Sequence, residues 1–526
     1  MSRYNLKYEL LFHGDAEYTD ISNLVDSTKT SVTRYLTGEN LNSAIDSCLC
    51  SLQNRSLVNG MTQQDIVEKL LLAQETQDKV FFRLSDTANI FTGYVRPTLS
   101  QTYNRDIPSI VKLDIEDMSY LLDNAMSELF EYPSHIDNDG FYIFNPDDKE
   151  HSIVHQRLYA AGYADDQIDN SLSGIFNQIA HTSGKTDATR TYRDYIDTLL
   201  KEYGYVQYFN ESGLWAYKKL EFDSLSVDYV RTDEWLSDNG LSVNGNDNEI
   251  DGYKLKWSVL DLLRDVRLYT ANTSTADGEF TGMKIGVDDY YPKDSDIEDV
   301  WQEFKTTWTD IPYLNHETRE ENEDLSLLTA KNIRASYRTD EHIVLDHSDD
   351  LPEFEPTRAR YRFHNTGDLI EKLFFFELYG DALIRNEIVT YTMPEEAISP
   401  KEYTSEFIFD ADSALLLTSR LATWYTTHDI TYKWSDLAPI DVGDIVQVTV
   451  GVVSTKTFVG SYTETYPTGY MKKRDITAYG MSEVQSEPLS VTRRISKTTQ
   501  ERTSEPAKNE LTILFDVESI GEVKIH

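Results

Sequence analysis

Two histidines, His151 and His155, stand four residues apart. On a helix that spacing places both rings on one face, as in a two-histidine zinc site. A third ligand is needed close by, and no Glu lies between them, so a helix or loop surface is the plainer reading. "HETRE" from His316 has one histidine where the metalloprotease pattern needs two. "DNDG" from Asp137 and "NGNDNEIDG" from Asn244 have the residue types of calcium loops. Neither has the spacing that ends on Glu at position twelve, and both read as turns. The only two cysteines are Cys48 and Cys50. Two apart on a strand, they point to one face and are poorly placed for a disulfide. They read as buried thiols, and no oxidising compartment is implied. There is no G-x-S-x-G elbow, no phosphate-cradling glycine loop, and no histidine near either cysteine. Carboxylates are too many for spacing to single out an acid–base pair. The sequence thus predicts no catalytic, cofactor-binding or metal residue, and a protein that is not an enzyme.

The elements that would position function are clearest from Phe407 to Gly480. Phe407–Phe409 reads as a short strand and Asp410 as the N-cap of a helix. Ala414, Leu417, Leu421 and Trp424 or Tyr425 recur at spacings of three and four and form its apolar face. "ITYKW" and "IDVGDIVQVTV" follow as strands. Gly443 sits where a tight turn needs positive φ, and Val446, Val448 and Val450 alternate. Arg474–Tyr479 reads as the last strand. The order strand–helix–strand–"VGDIVQV"–strand–"YG" resembles the C-terminal hub domain of phage tail baseplate hub proteins. That family includes the tail-associated proteins of long-tailed phages and the hubs of contractile injection systems.

The opening residues resemble the same family's N-terminal barrel. Leu6, Tyr8, Leu10 and Phe12 alternate along one strand, and "SVTRYL" and "AIDSCLCSL" give two more. A helix over Gln64–Ala73 would bury Ile66, Val67, Leu70 and Leu71. "KVFFRLS", "NIFTGYVRPTLSQTY" and "SIVKLDIEDMSYLLD" follow, with Phe91-Thr92-Gly93-Tyr94-Val95 in the middle and a last strand running into a helix. From Asn124 to Glu221 the character turns helical, in "DDQIDNSLSGIFNQIAHTS" and in "TYRDYIDTLLKEYG". Tyr192, Tyr195, Ile196 and Leu199 make a stripe in the latter, and Gly204 ends it. "YVQYF", "NESG" and "LWAYKKL" read as a β-hairpin, and helix, "YG" and hairpin together match the family's inserted domain. Further on, "YKLKWSVLDLLRDVRLYTA" suggests strands and one helix. "SVNGNDNEIDGY" reads as a loop, and "IPYLNHETREENEDLSLLTAKNI" as a charged connector. "FFFELYGDALI" resembles the first strands of the C-terminal hub domain, and "LTILFDVESIGEVKIH" is a last apolar piece after a polar tail.

The 526 residues allow three or four domains. The expected fold class is α+β, β-rich and multidomain, with two hub β-barrel domains and inserted α+β domains. The expected division is 1–125 for the N-terminal barrel, 126–221 and 222–335 for insertions, 336–488 for the C-terminal barrel, and 489–526 for a tail. Hydrophobic content of 40% is globular, and 34 Tyr against 21 Phe suits both β structure and wide subunit interfaces. The net charge of -41 argues against electrostatic binding of nucleic acid and suits a passage that DNA slides through, or an acidic or halophilic host. No signal-peptide core and no membrane-spanning run is visible. About 45 residues follow Gly480, too few for an appended enzyme domain.

The resemblance implies a structural virion protein of the tail tip, made in the host cytoplasm. It implies a homotrimer in which two similar barrels per chain present six surfaces to a hexameric distal tail or tail tube protein. The tape measure protein and a tip fibre or spike protein would be further partners. No cofactor is implied. The readings from other classes are a cell-wall or polysaccharide hydrolase and a receptor-binding tip protein.

Overall fold

The computed structural model describes residues 6–494. The segments 37–42, 54–60, 97–99, 105–106, 127–140, 145–151, 170–175, 181–189, 221–226, 246–249, 271–289, 292–295, 298–301, 304–325, 340, 348–351, 355–357, 370, 428–429, 452, 468–471 and 482–488 fall outside the description, as do both ends. The chain is β-rich and α+β, as its sequence predicts.

The N-terminal region holds β1 (Lys7–Leu11), β2 (Ser31–Tyr35), β3 (Ser47–Leu52), α1 (Gln63–Thr76), β4 (Phe81–Ser85), β5 (Asn89–Val95) and β6 (Ile107–Glu116). On β1 the alternation is borne out, with Tyr8 and Leu10 buried. Thr62 and Asp65 cap α1 reciprocally. Its buried face is Ile66, Val67, Leu70 and Ala73; Leu71, expected inside, is exposed, because Ala73 continues the three-and-four spacing from Leu70. After β6 the chain makes only one 3-10 turn, Met118–Leu121, where a helix is expected.

The inserted region supplies α2 (Ile153–Ala161), α3 (Tyr192–Glu202) and the hairpin β7 (Tyr205–Phe209) and β8 (Trp215–Lys219). The stripe Tyr192, Tyr195, Ile196 and Leu199 is buried, and Gly204 ends α3 at a φ of 84°. "DDQIDNSLSGIFNQIA" is not helical throughout: one 3-10 turn at Asp165–Gln167 precedes a strand, Phe176–Ala180, paired with Phe141–Phe144.

Next come β9 (Tyr229–Arg231), β10 (Ser242–Gly245), β11 (Tyr253–Thr270), β12 (Ser326–Thr339), β13 (Glu371–Met393) and β14 (Lys401–Thr404). Three expectations change here. β10 begins the expected "SVNGNDNEIDGY" loop as a strand, and β12 is the last part of the expected connector. "YKLKWSVLDLLRDVRLYT" is one 18-residue strand with no helix. β11 pairs antiparallel with β13 along almost its whole length, and three register shifts break its alternation. A bulge moves the following residues to the opposite face, so apolar residues recur at helix-like spacings.

The last region is α4 (Ala411–Thr427), β15 (Ile430–Asp436), β16 (Ile445–Val450), β17 (Val453–Thr465), β18 (Lys473–Met481) and β19 (Leu489–Arg494). Asp410 caps α4, its carboxylate accepting from Ser413 N–H at 2.8 Å. Ala414, Leu417, Leu421 and Trp424 are all buried. Phe407–Phe409 is not a strand, since the amide of Phe407 bonds a side chain rather than a neighbouring strand. Gly443 has a φ of 84°, and Val446 and Val448 are buried while Val450 is exposed.

A five-stranded arrangement occurs twice. In the first repeat the sheet order is β2-β3-β6-β5-β4; in the second it is β10-β15-β18-β17-β16. Counted along the chain, both are 1-2-5-4-3, with every pair antiparallel. The registers coincide as well. Phe91 lies opposite Leu84, and Phe458 opposite Ile445. Val95 lies opposite Ile115, and Tyr462 opposite Ile476. Ile115 lies opposite Cys48, and Ile476 opposite Trp434.

Matched on these pairs, the strands share residues: Phe91-x-Gly93 with Phe458-x-Gly460, and Lys112-x-Asp114-Ile115 with Lys473-x-Asp475-Ile476. Both glycines stand where the fourth strand meets the fifth. A Cβ on Gly93 would lie 1.9 Å from the Glu116 carbonyl oxygen, and one on Gly460 would lie 2.4 Å from the Tyr479 ring. The repeats differ in their helix. α1 lies between the second and third strands, whereas α4 precedes the second. Each repeat has its own core, Tyr8, Phe82, Phe91 and Ile115 in the first, Leu417, Trp424, Trp434 and Phe458 in the second.

Candidate functional site: the seam between the repeats

The two repeats are joined edge to edge. β2 pairs with β17, Thr33 opposite Thr463, Arg34 opposite Tyr462 and Tyr35 opposite Ser461. This makes one 14-stranded sheet among the described residues. The threonine hydroxyls meet at 3.1 Å, and Leu36 N–H continues the ladder to the Gly460 carbonyl at 3.0 Å.

Arg34 sits in the seam and is buried. Its guanidinium donates to Asp46 Oδ2 at 2.7 Å, to the Ile90 carbonyl at 2.6 Å and to the Phe209 carbonyl at 3.2 Å. It therefore ties together the first repeat and the inserted hairpin. Asp46 also accepts from Tyr35 N–H at 2.7 Å, and its own amide donates to Asp117 at 2.8 Å. Burial pushes the Asp46 carboxyl up to about 7, against the pull of Arg34. Glu464, on the other side, is held below its usual value despite burial, by Lys472, Tyr466 and Arg474. Arg34, Tyr462, Glu464, Lys472 and Arg474 surround a cavity of about 240 Å³.

α3 clasps both repeats with two buried carboxylates about 7.5 Å apart along its axis. Asp197 accepts from Ser43 Oγ at 2.8 Å and from Gln207 Nε2 at 2.8 Å. Glu202 accepts four bonds, from Tyr403 OH at 2.8 Å, Ser405 Oγ at 2.7 Å, Glu406 N–H at 2.9 Å and Phe407 N–H at 2.8 Å. Burial raises Glu202 to about 6 and raises Asp197 as well. Every group at this junction is satisfied by structure, and its chemistry is that of a joint.

A cleft of about 230 Å³ opens on the first repeat between the end of α1 and the strands β4 and β5. Leu70, Ala73, Val80 and Val95 line it together with Asp78, Lys79 and Arg96, and Arg96 is paired with Asp114 and Glu116. Lys79 Nζ lies 4.5 Å and 4.6 Å from the rings of Tyr94 and Tyr120.

The chemistry-bearing residues of the sequence do not gather here. His155 is buried on α2 with Nδ1 2.8 Å from Ser152 Oγ, and His151 and His316 lie outside the described residues. So do Asp137 and part of the run from Asn244. Cys48 and Cys50 are free and buried on β3, and burial pushes the Cys50 thiol up to about 12. Among the described residues no three metal-ligating side chains cluster, and no helix is long and apolar enough to cross a membrane. The residues of the seam were not singled out from sequence. The signal that could have found them is the doubled Phe-x-Gly and Lys-x-Asp-Ile.

No family model matches the sequence, and no curated protein matches it. The solved structures that the chain is similar to include phage tail proteins. One is the 43 kDa tail protein of prophage MuSo2 from Shewanella oneidensis, at 10% identity over 90% of this chain and 98% of that one, with a TM-score of 0.38. Another is the prophage tail protein gp18 from Listeria monocytogenes EGD-e, at 10% identity over 91% and 95%, with a TM-score of 0.40. A third is the tail protein from Neisseria meningitidis MC58, at 7% identity over 90% and 97%, with a TM-score of 0.41.

Proposed function

We propose that this chain is a structural subunit of a phage-type virion, a baseplate hub that assembles as a homotrimer at the tail tip. The observation that carries the reading is the repeat: one chain presents two copies of the same five-stranded arrangement, in the same register, within one sheet. Three such chains offer six like surfaces, which match a six-fold ring while the assembly itself is three-fold. The six-fold partner is a distal tail or tail tube protein, and a tip fibre or spike protein meets the three-fold side. Residues 1–125 and 336–488 are the hub units, and β9 and β10 add to the second of them. The remainder of 126–221 and 222–335 is inserted between them, and 489–526 is a tail.

The ring surrounds the channel through which the tape measure protein and then DNA leave, with no sequence-specific contact to DNA. The net charge of -41 supports this, because an acidic lumen does not hold phosphates. The chain works without catalysis or cofactor, and the seam supports this reading, because its buried, hydrogen-bonded groups hold the two repeats together. Native mass spectrometry of the purified protein and electron microscopy of tail particles test the reading. A mass of three chains, or three chains at the tip, is expected, with Asp and Glu lining the lumen. A chain that stays single and never joins tails overturns it, and a basic lumen overturns the account of the charge.

A further inference from the structure

Val266, Leu268, Leu378 and Ile384 form a core at the far end of β11 and β13. β11 holds one side of β13, so β12 and β19 both pair on the other side. β12 is 14 residues long and pairs only with β13; no strand among the described residues lies on its outer edge. No backbone group of 332–337 bonds any other segment. An edge of that length is a ready template for one more strand. The core also thins toward it. Ala335 lies opposite Leu378 and Tyr337 opposite Phe376. Leu378 is fully buried, whereas Tyr337 is 40% exposed, although its ring meets Phe363 edge-on at 5.3 Å. β12 has three cations, Lys331, Arg334 and Arg338, and no carboxylate, in a chain of net charge -41. Arg334 pairs with Asp265 and lies over the Tyr379 ring, yet more than half of its side chain is exposed.

The chain beyond β19 carries what this edge lacks. Residues 495–526 lie outside the described residues. Within them Leu511, Ile513, Phe515 and Val517 alternate with Thr512, Leu514, Asp516 and Glu518. That is the pattern of a strand with one apolar face. The stretch 511–518 has two carboxylates and no cation. We propose that 511–518 adds to β12 of its own chain as an outer strand. Its apolar face continues from Ala335 and Tyr337, and its carboxylates come to the side of Arg334.

Position favours the chain's own segment over a neighbour's. β19 ends with Arg494 opposite Glu387, and β12 begins with Ser326 opposite Arg385. The chain therefore leaves β19 two positions short of β12 and heading along it. The outer edge is one strand spacing away, about 5 Å. Residues 495–510 span about 50 Å when extended, and β12 is about 46 Å long, so the segment reaches any part of the edge. Such a tether holds it there at an effective concentration on the order of millimolar. None of this rests on the hub reading.

Hydrogen exchange read by mass spectrometry tests the pairing. It compares the full chain, a chain ending at Arg494, and the full chain with Phe515→Asp. In both variants the outward amides of 332–337 are expected to exchange at least about tenfold faster, with β11 and the second repeat unchanged. Equal exchange in all three overturns the proposal, and so does loosening spread evenly over β11, β12 and β13. Co-expression separates the chain's own segment from a neighbour's. A shortened chain marked by Ser336→Ala, made together with the full chain, is expected to keep fast exchange in its own 332–337. Protection of the marked chain hands the segment to a neighbouring copy and overturns the assignment. The mass of the assembly is no part of the readout, so either result leaves the hub reading where it stands.

Discussion

Glu202 meets two amides, which only donate, and two hydroxyls, which can donate or accept. The carboxyl can thus take up a proton without losing a hydrogen bond. Its neighbours in charge are Lys201 beside it on α3, Tyr203, and Tyr403 and Glu406 on the segment it clasps; Glu406 is paired with Arg190. Its folded value of about 6 stands above the ordinary 4.5, so the folded chain binds this proton more tightly than the unfolded chain does. That stabilisation is complete below about 4.5 and is lost as pH rises through about 6. Glu202→Gln is expected to remove roughly 1–2 kcal/mol of the pH dependence of unfolding between pH 4.5 and 7.5, measured in urea. Parallel pH profiles for variant and parent would contradict it. Gly93→Ala and Gly460→Ala press a methyl into backbone and ring respectively, and each is expected to cost about 1–3 kcal/mol in the same assay. Gly245→Ala, with open space around it, is the control and is expected to be near neutral.

Among the elements, β11 and β13 span from one core to another. Tyr253, Leu255, Trp257, Val389 and Met393 belong to the core of the second repeat, and Val266, Leu268, Leu378 and Ile384 to a separate core at the far end. The strands on both sides of β13 shift register at a shared joint. Asp265 and Asn332 have φ of 53° and 52° in the strands on either side of Asp381. The Asp381 carboxylate accepts from Asp265 N–H at 2.9 Å and from Asn332 Nδ2 at 2.8 Å. Asp381→Ala leaves both donors without that acceptor and is expected to cost about 1–3 kcal/mol, with hydrogen exchange rising first in 330–335 and 264–268. Loss spread evenly over the chain would argue against a local joint. This joint explains where the sequence misleads. α4 was legible from Asp410 to Trp424 because its spacing and its cap agree, and the β7–β8 hairpin because a turn sits between two apolar runs. β11 was not, because its bulges break the alternation by which a strand is recognised. β10 was hidden for another reason: Ser, Asn and Gly suit a turn, and only the distant β15 makes them a strand.

On the scale of the whole molecule, each repeat was legible through its own strands, and the expectation that the two are alike came from the family resemblance, not from residues matched between them. The likeness lies in which strand neighbours which, and that is decided by pairs hundreds of residues apart. With one sheet running through both repeats, unfolding is expected to show one transition, the same by near-ultraviolet dichroism and by tryptophan fluorescence. All seven tryptophans lie at or beyond Trp215, so two separated transitions would show that the halves melt independently. The seam at Thr33 and Thr463 has one more outcome. These residues are 430 positions apart. At a ribosome's pace of about 5–20 residues per second, Ser31–Tyr35 leaves the tunnel roughly 20–90 s before its mate. Throughout that interval the strand edge waits without its partner, and polysomes bring sibling chains close to it. A nascent chain released early would offer that edge to its neighbours.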